Sequence, residues 1–264
     1  MTALVYKIAK TQARDALRSR WIAVYTLFFL LATEGLMRFS GDGAKAVLSL
    51  SSATLIVVPL VTLVLSTIYV YNAREFTELL LAQPIRRSTL FSGLYLGLAV
   101  PMAAGFVAGI GLPMLLRGGG DPAQRGTIIA LLVVGVLLTF VFTAIAFAIA
   151  LGTDDRLRGL GAALGLWFVV ALLYDGIVLT LVAMFSDYPI ERALLGLTFA
   201  NPVDLARILL LLKLDVAALM GYTGAVFQRF FGGAMGITLA SAALVLWAIV
   251  PVGVGTRQFR RKDF

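Results

Sequence analysis

The chain contains no cysteine and no histidine among its 264 residues. Without cysteine it forms neither a disulfide nor a thiol nucleophile. Without either residue type it has no zinc site of the usual kind and no histidine general base. It also lacks the phosphate-binding G-x-x-x-x-G-K-[ST] pattern, the G-x-S-x-G of hydrolases and the H-E-x-x-H of metalloproteases. We therefore expect no catalytic site in this chain.

Charge is scarce as well, since only 14% of the residues are charged, against about 25% in an average soluble domain. Instead 60% of the residues are apolar and the mean hydropathy is +0.96. A core alone does not absorb that surplus, because a chain of this length makes only one or two domains. A surface that faces lipid accounts for the surplus of apolar residues.

The apolar residues cluster in runs long enough to cross a bilayer, which takes about 20 helical residues. The sequence predicts an all-α integral membrane protein with a single transmembrane domain over residues 1–264. The six predicted spans are Trp21–Met37, Leu48–Tyr71, Leu90–Leu116, Thr127–Leu151, Gly159–Phe185 and Gly233–Gly255.

The net charge of +8 is distributed unevenly between the two sides of this topology. Fourteen of the 22 basic residues fall in the N-terminal segment, the loops after spans two and four, and the C-terminal tail. Loops rich in Lys and Arg stay in the cytoplasm. We therefore expect a multi-pass protein of the inner (cytoplasmic) membrane with both termini cytoplasmic.

Residues 1–20 form a basic segment that precedes the first span. On a helix its apolar residues share one broad side: Val5, Ile8, Ala9, Ala13, Ala16 and Leu17. An amphipathic helix of this kind lies on the membrane surface. The alternative is a charge cluster that only sets the topology.

Residues 72–89, on the predicted cytoplasmic side, begin charged, turn apolar over Leu79–Leu81 and stop at Pro84. The residue before a proline is disfavoured in a helix, so a short helix should end at Gln83. Leucines in a cytoplasmic loop need a cover, which is either the protein's own bundle or a partner protein.

The segment 186–232 is expected on the outer side. Asn201 and Pro202 are typical of an N-cap and a first helical position. Asp204 then lies in the first turn and pairs at i, i+3 with Arg207. The apolar run Ile208–Leu212 is too short to span, so the sequence predicts a re-entrant or interfacial helix here.

Asp175 lies inside span five, towards its outer half. A carboxylate at the centre of a span costs about 2.5–3.5 kcal/mol, so it should face the bundle interior or an aqueous cavity. Two readings stay open: a residue of the cargo path or gate, and a structural hydrogen bond to a hydroxyl of a neighbouring helix. Glu34 and Arg38, at i, i+4, are expected to form a structural ion pair.

Glycines recur at four-residue spacing, which lets helices approach closely. The pairs are Gly93/Gly97, Gly105/Gly109, Gly161/Gly165 and Gly232/Gly236. They support a tightly packed bundle.

The run from Glu78 to Arg87, Glu-Leu-Leu-Leu-Ala-Gln-Pro-Ile-Arg-Arg, resembles the coupling helix of type-2 (type V) ABC exporter permeases. Within them the chain is similar along its whole length to the NosY-like branch of copper-processing systems. The motif from Asn201 to Arg207, Asn-Pro-x-Asp-x-x-Arg, carries this likeness, together with Gly165-Leu-Trp-Phe and the following Tyr174-Asp175. Phe76 departs from the pattern, because the family usually has a small residue there.

The resemblance implies a homodimeric permease that exports or delivers a species for the copper-site maturation of nitrous oxide reductase. It implies four partners: a NosF-like cytoplasmic ATPase that holds ATP and Mg, a periplasmic β-helical NosD-like protein, possible contact with a NosL-like copper lipoprotein, and membrane lipid. No cofactor, metal or nucleic acid is expected on this chain. The implied site residues are Glu75, Glu78, Leu79, Leu80, Pro84, Arg86 and Arg87 for ATPase coupling, Tyr174 and Asp175 for the path or gate, and Asn201, Pro202, Asp204 and Arg207 for contact with an outer partner.

Two other functions remain compatible with the sequence. One is a general ABC-2 exporter of lipid, drug or polysaccharide, which would use the same bundle and coupling helix. The other is a stand-alone intramembrane enzyme or scaffold, which the missing catalytic residues disfavour. Since Cu(I) prefers soft ligands and only seven Met provide them, we expect that the chain does not hold copper firmly.

Overall fold

The computed structural model describes residues 2–40, 43–116, 122–185, 191–213 and 233–262. Every regular element in these ranges is helical, because in lipid a helix satisfies all its own backbone groups. The elements are α1 (Thr2–Leu17), α2 (Arg20–Phe39), α3 (Gly43–Asn72), α4 (Arg74–Leu81), α5 (Arg87–Leu116), α6 (Pro122–Gly152), α7 (Arg156–Phe168), a π-helical turn (Val169–Leu173), α8 (Tyr174–Met184), α9 (Glu191–Ala200), α10 (Pro202–Lys213) and α11 (Ala234–Arg261).

Six helical stretches of the described residues are long and apolar enough to cross a membrane, which confirms the predicted number of spans. They are α2, α3, α5, α6, α11 and the continuous stretch Arg156–Met184 that joins α7, the π-helical turn and α8. The bent pair α9–α10 makes a seventh apolar unit, folded back at 109°. This bend agrees with the re-entrant segment that the sequence predicts.

The helices α3, α5 and α6 form the centre of the bundle. Of the 18 most apolar consecutive residues in each helix, 44%, 61% and 50% are buried. In span five, Arg156–Met184, the corresponding share is only 6%. The buried aromatic side chains Phe29, Phe106 and Phe142 fill the interior between the helices. Span five therefore presents most of its apolar surface to the outside of the single chain.

Four glycines on α5 allow α1 and α2 to approach it closely. A Cβ atom at Gly93 would lie 2.6 Å from the Ile8 side chain, and one at Gly97 would lie 2.5 Å from Gln12. A Cβ at Gly109 would lie 2.7 Å from Phe29 Cβ. Two of the predicted glycine pairs are thus contact sites. Gly161 and Gly165 face open space, and Gly232 lies outside the described residues.

The N-terminal segment folds as the predicted helix, but it packs lengthwise on α5. Gln12 lies in this contact, and its Oε1 accepts a hydrogen bond from the Tyr69 hydroxyl. Leu17, which the pattern placed on the apolar side, is 58% exposed. The tertiary contact therefore selects a face centred on Ile8, Gln12 and Ala16. Whether α1 lies at the membrane surface stays a prediction.

The segments predicted to share one side of the membrane do meet at one end of the bundle. The Tyr71 hydroxyl at the end of α3 donates to Thr153 O after α6, at 3.0 Å. Lys262 Nζ, just past α11, donates to Leu151 O at 2.9 Å. We call this the basic end. The other half of the bundle, in which α10 runs from the bend to Lys213 beside Thr127, we call the opposite end.

The glycine contacts yield a comparison between two positions on one helix. Gly109→Ala should destabilise the protein by about 1–3 kcal/mol, because the added methyl group enters the space of Phe29 and of Thr26 O at 2.9 Å. Gly111→Ala, with nothing within 4 Å, should be neutral or stabilising by about 0.5–1 kcal/mol. Thermal unfolding in detergent measures both. Equal midpoints for the two variants would contradict the close approach of α2.

Candidate functional site

The loop after α3 contains the predicted short helix, which is α4. It ends at Leu81, two residues before Gln83 and just ahead of Pro84. Glu78 forms an i, i+4 ion pair with Arg74, whose Nε lies 3.5 Å from the carboxylate. Both side chains are about half exposed, so this pair contributes little stability.

The leucines of α4 are divided between two faces. Leu80 and Leu81 are partly buried and pack on the cluster that contains Leu90, Phe91 and Phe147, so the bundle itself covers them. Leu79 is 71% exposed and Phe76 beside it is 41% exposed. Of the two covers that the sequence left open, the bundle itself covers Leu80 and Leu81, because the helical period turns those two inward, while Leu79 stays exposed.

The remaining polar and proline positions of this segment lie at the surface. Glu75, Glu78, Pro84 and Arg86 are all exposed. Together with Phe76 and Leu79 they form a mixed apolar and charged patch, which we call the α4 face. This composition, with apolar anchors surrounded by charges, is that of a protein-binding surface.

Arg87 differs from its neighbour Arg86, because its side chain is turned back to the bundle. Its Nη1 donates to Lys262 O at 2.6 Å and to Arg260 O at 3.2 Å. The last carbonyls of a helix have no partner within the helix, and a cation placed there also interacts favourably with the helix dipole. Arg87 therefore caps α11 and ties the start of α5 to it. A direct contact of Arg87 with an ATPase stays a prediction.

Lys262 extends this connection to the loop after α6. Its Nζ lies 2.9 Å from Asp154 Oδ1, and the same ammonium group donates to Leu151 O. The hydrogen bond and charge of Lys262 lower the pKa of the Asp154 carboxyl below its ordinary value, so it stays ionised at neutral pH. We call Arg87, Lys262 and Asp154 the basic-end clasp. It joins three chain segments that meet beside the α4 face.

Beside the middle of span five, in the half of the bundle towards the opposite end, the chain breaks at Asn201, between α9 and α10. Asn201 Oδ1 accepts from Val203 N at 2.9 Å, which confirms the predicted N-cap, with Pro202 in the first helical position. Its Nδ2 donates to Val170 O at 2.9 Å, inside the π-helical turn of span five. One side chain thus satisfies backbone groups of two separate elements.

The last carbonyls of α9 also find partners on other helices. The Tyr174 hydroxyl donates to Leu197 O at 2.7 Å, and Trp247 Nε1 on α11 donates to Phe199 O at 3.0 Å. Unpaired carbonyls are costly in an apolar environment. These contacts therefore permit the 109° bend to exist within the bundle.

A guanidinium joins span five to the bent segment. Arg207 Nη1 donates to Asp204 Oδ1 at 3.1 Å, which confirms the predicted i, i+3 pair, and also to Asp175 Oδ1. Asp175 is therefore paired with an arginine rather than with a hydroxyl. The sequence reasoning also missed the second carboxylate, Asp204, at the same site. A carboxylate inside a span indicates a cationic partner, but sequence spacing does not identify one that is 32 residues away.

This cluster of two carboxylates and one guanidinium borders a cavity of about 490 Å³. Asp175 and Arg207 line the cavity together with the hydroxyl-bearing Ser51 and Ser52 of α3. Tyr174, Asp175, Asn201, Asp204 and Arg207, which the sequence assigned to two separate roles, thus form one connected site. We call it the polar bridge.

The predicted contact with an outer partner fits these positions poorly. Asn201 is 1% exposed and Pro202 is buried. Their side chains hold the bend from within, so a direct contact with another protein requires other residues. The rest of the predicted outer segment, 186–190 and 214–232, lies outside the described residues.

This helical bundle, with a short exposed helix at one end and a bent helix pair towards the other, matches a known protein family. The family model of the ABC-2 family transporter protein matches residues 6–264. The chain belongs to the ABC-2 transporter family. It is an ABC-2 permease, the membrane subunit of an ABC transporter.

One curated relative of this ABC-2 permease is the "Probable ABC transporter permease protein NosY" of Pseudomonas aeruginosa. The two chains are 28% identical over 275 residues, which covers 98% of each. The similarity to NosY permeases noted in the motifs is thereby confirmed along nearly the whole chain. A permease of this kind works with a separate ATPase.

The clasp is tested by the mobility of the end of α11. Arg87→Gln in this ABC-2 permease should make the backbone amides of residues 257–262 exchange about fivefold faster, since the hydrogen bond removed contributes about 1 kcal/mol. Hydrogen exchange with mass spectrometry measures this. Arg158→Gln removes an exposed charge at the same end, outside the clasp, and should leave those amides unchanged. Equal exchange in both variants would contradict the clasp.

The polar bridge is tested by a double-mutant cycle on Asp175→Asn and Arg207→Gln. Each single change should destabilise the protein by about 1–3 kcal/mol. Asp175→Asn removes one of the two carboxylate partners of Arg207, and Arg207→Gln leaves Asp175 and Asp204 without their cation. The double variant should recover about 1 kcal/mol or more. The same cycle on the exposed pair Glu34 and Arg38, whose charged atoms lie 2.8 Å apart, should give a coupling of about 0.2–1 kcal/mol. Unfolding midpoints measure both, and equal couplings would contradict the bridge.

Proposed function

We propose that this permease couples ATP binding and hydrolysis by a separate cytoplasmic ATPase to the export, or delivery to the periplasm, of a species needed for copper-site maturation of nitrous oxide reductase. The observation that carries the ATPase coupling is the α4 face, an exposed apolar and charged patch beside the basic-end clasp. The maturation role rests on the likeness to NosY and on the motifs at Asn201–Arg207 and Tyr174-Asp175.

The α4 face gives the ATPase a compact docking element. Leu79 and Phe76 supply the apolar anchors, and Glu75 and Arg86 supply charges around them. This assignment requires the basic end to be cytoplasmic, which agrees with its share of Lys and Arg. Phe76, bulkier than the family's usual residue, enlarges the apolar part of the patch.

The contacts around α4 supply a route from the ATPase into the bundle. The ATPase, by binding its nucleotide, must favour one arrangement of the spans over another, since a ligand shifts an equilibrium only by its differential affinity. A displacement of α4 and of the start of α5 reaches α11 through Arg87, and the loop after α6 through Lys262. Both links consist of hydrogen-bonded charged groups, which resist separation.

At the opposite end the polar bridge is the proposed gate. Asp175 belongs to span five and Arg207 to the bent segment. Relative motion of the two parts must therefore either break this ion pair or move both residues together. The adjoining cavity, lined by Ser51 and Ser52, offers hydroxyls beside the charged groups. Tyr174 and Asn201 hydrogen-bond span five to the bent segment, which positions Asp175 next to Arg207.

A second copy of this chain is proposed to pack against the exposed surface of span five, since only 6% of its most apolar stretch is buried within one chain. Its outer surface carries Leu164, Phe168 and Leu172, all more than 40% exposed, and the open glycines 161 and 165 permit close approach. The assembly then comprises two permeases and two ATPases, with a β-helical protein and a copper lipoprotein on the periplasmic side.

A general ABC-2 exporter of lipid, drug or polysaccharide is the second candidate function, because the family membership and the α4 face suit it equally. In either case the chain lacks thiol and imidazole ligands, which agrees with copper being held by a partner rather than by this subunit.

The decisive experiment purifies the tagged chain gently from its native membrane and identifies the co-purifying proteins by mass spectrometry. A protein with a Walker A sequence should be recovered. Leu79→Glu should remove most of it, because a carboxylate then replaces an apolar anchor. Leu17→Glu, at another exposed leucine (58%) of the same end, should retain it.

Recovery of the chain alone, under conditions that keep control ABC complexes intact, would refute the coupling. Loss of the ATPase from both leucine variants would show that α4 is not the docking element. A β-helical periplasmic protein in the same preparation supports the maturation role. An ATPase without any such partner favours the general exporter.

A further inference from the structure

A groove of about 710 Å³ runs between α1 and α5 at the basic end. Its walls follow helical periodicity, with Val5, Ala9 and Ala13 on α1 and Ser92, Leu96 and Val100 on α5, each set spaced by four residues. The close contact of Ile8 and Gln12 with the glycines of α5 sets the distance between the helices. The small Ala and Ser side chains beside that contact leave the groove open.

The groove changes character along its length. Ser88 and Ser92 lie near the start of α5, while Leu96 and Val100 continue into the span, where Val100 is 48% exposed. A molecule that follows this groove therefore meets hydroxyls at one end and apolar side chains at the other. A phospholipid, with a polar headgroup joined to an acyl chain, has the same order of polarity.

The charge beside the groove selects the kind of headgroup. Lys10 lines the groove and lies over the Tyr6 ring, 5.9 Å from its centroid. Residues 2–20 carry five basic side chains and a single acidic one, Asp15. Among the residues that the structure describes, none that lines the groove is acidic. Basic amphipathic helices beside a span attract anionic headgroups, and a lysine reaches from an apolar wall to the phosphate level by extending its side chain.

We propose that this groove is a binding site for one anionic phospholipid of the leaflet at the basic end. The acyl chain lies along Ala9, Ala13, Leu96 and Val100, and the phosphate contacts Lys10 and the Ser88 and Ser92 hydroxyls. Bound there, the lipid bridges the N-terminal helix and the span that follows α4. The site requires only that α5 spans the membrane, so it stands whether or not the proposed cargo is correct.

Native mass spectrometry of the intact purified complex tests the site with two lipids that share their acyl chains, dioleoyl-phosphatidylglycerol and dioleoyl-phosphatidylcholine, at equal concentration. The unaltered protein should retain phosphatidylglycerol preferentially. Lys10→Glu should lower that preference about fivefold or more. Arg257→Glu reverses a charge at an exposed position of α11 at the same end, outside the groove, and should leave the preference unchanged.

A second variant probes the apolar part of the groove. Ser92→Leu combined with Ala13→Leu fills the groove from both walls and should abolish retention of the bound lipid, while the protein stays monodisperse in detergent. Equal retention of the two lipids by the unaltered protein would overturn the proposal. So would an equal effect of Lys10→Glu and Arg257→Glu, which indicates diffuse surface charge, or undiminished binding to the filled groove.

Discussion

The opposite end of this permease depends on one constraint: a helix that breaks within an apolar bundle must find partners for its freed backbone groups. Asn201 caps α10 with its side-chain oxygen, and its amide donates to Val170 O in the π-helical turn of span five. Tyr174 and Trp247 complete the end of α9. The bent segment is therefore fixed to span five and α11 by hydrogen bonds, and Arg207 meets Asp175 as a consequence.

The basic end follows a different principle, which is close packing around α5. Glycines on one face of α5 admit α1 and α2, and its first residue, Arg87, holds the end of α11. The span that follows α4 is thus the most buried of the six in the described residues, with 61% of its most apolar stretch buried. A force applied at α4 enters the bundle at its centre, which is the placement that a coupling element needs.

The two ends are linked through spans that take part in both. α11 is clasped by Arg87 at its C-terminal end and donates from Trp247, near its midpoint, to the bent segment. Span five begins beside the basic-end loop, where Asp155 caps α7, and carries Asp175 into the polar bridge. Because close-packed interiors have low compressibility and transmit strain, these two spans connect the basic end, where we propose that the ATPase docks, to the proposed gate.

The sequence by itself determined the membrane class, the six spans, the short helix before Pro84, the Asn201 cap and the pairs Asp204–Arg207 and Glu34–Arg38. All of these depend on hydropathy or on groups within about one helical turn, which sequence spacing specifies directly. Only the tertiary structure decided that Leu79 is exposed while Leu80 packs inward, that Arg87 caps α11, and that Asp175 meets Arg207. These outcomes depend on how each helix is rotated and which helix lies beside it, and both are set by the packing of the whole bundle.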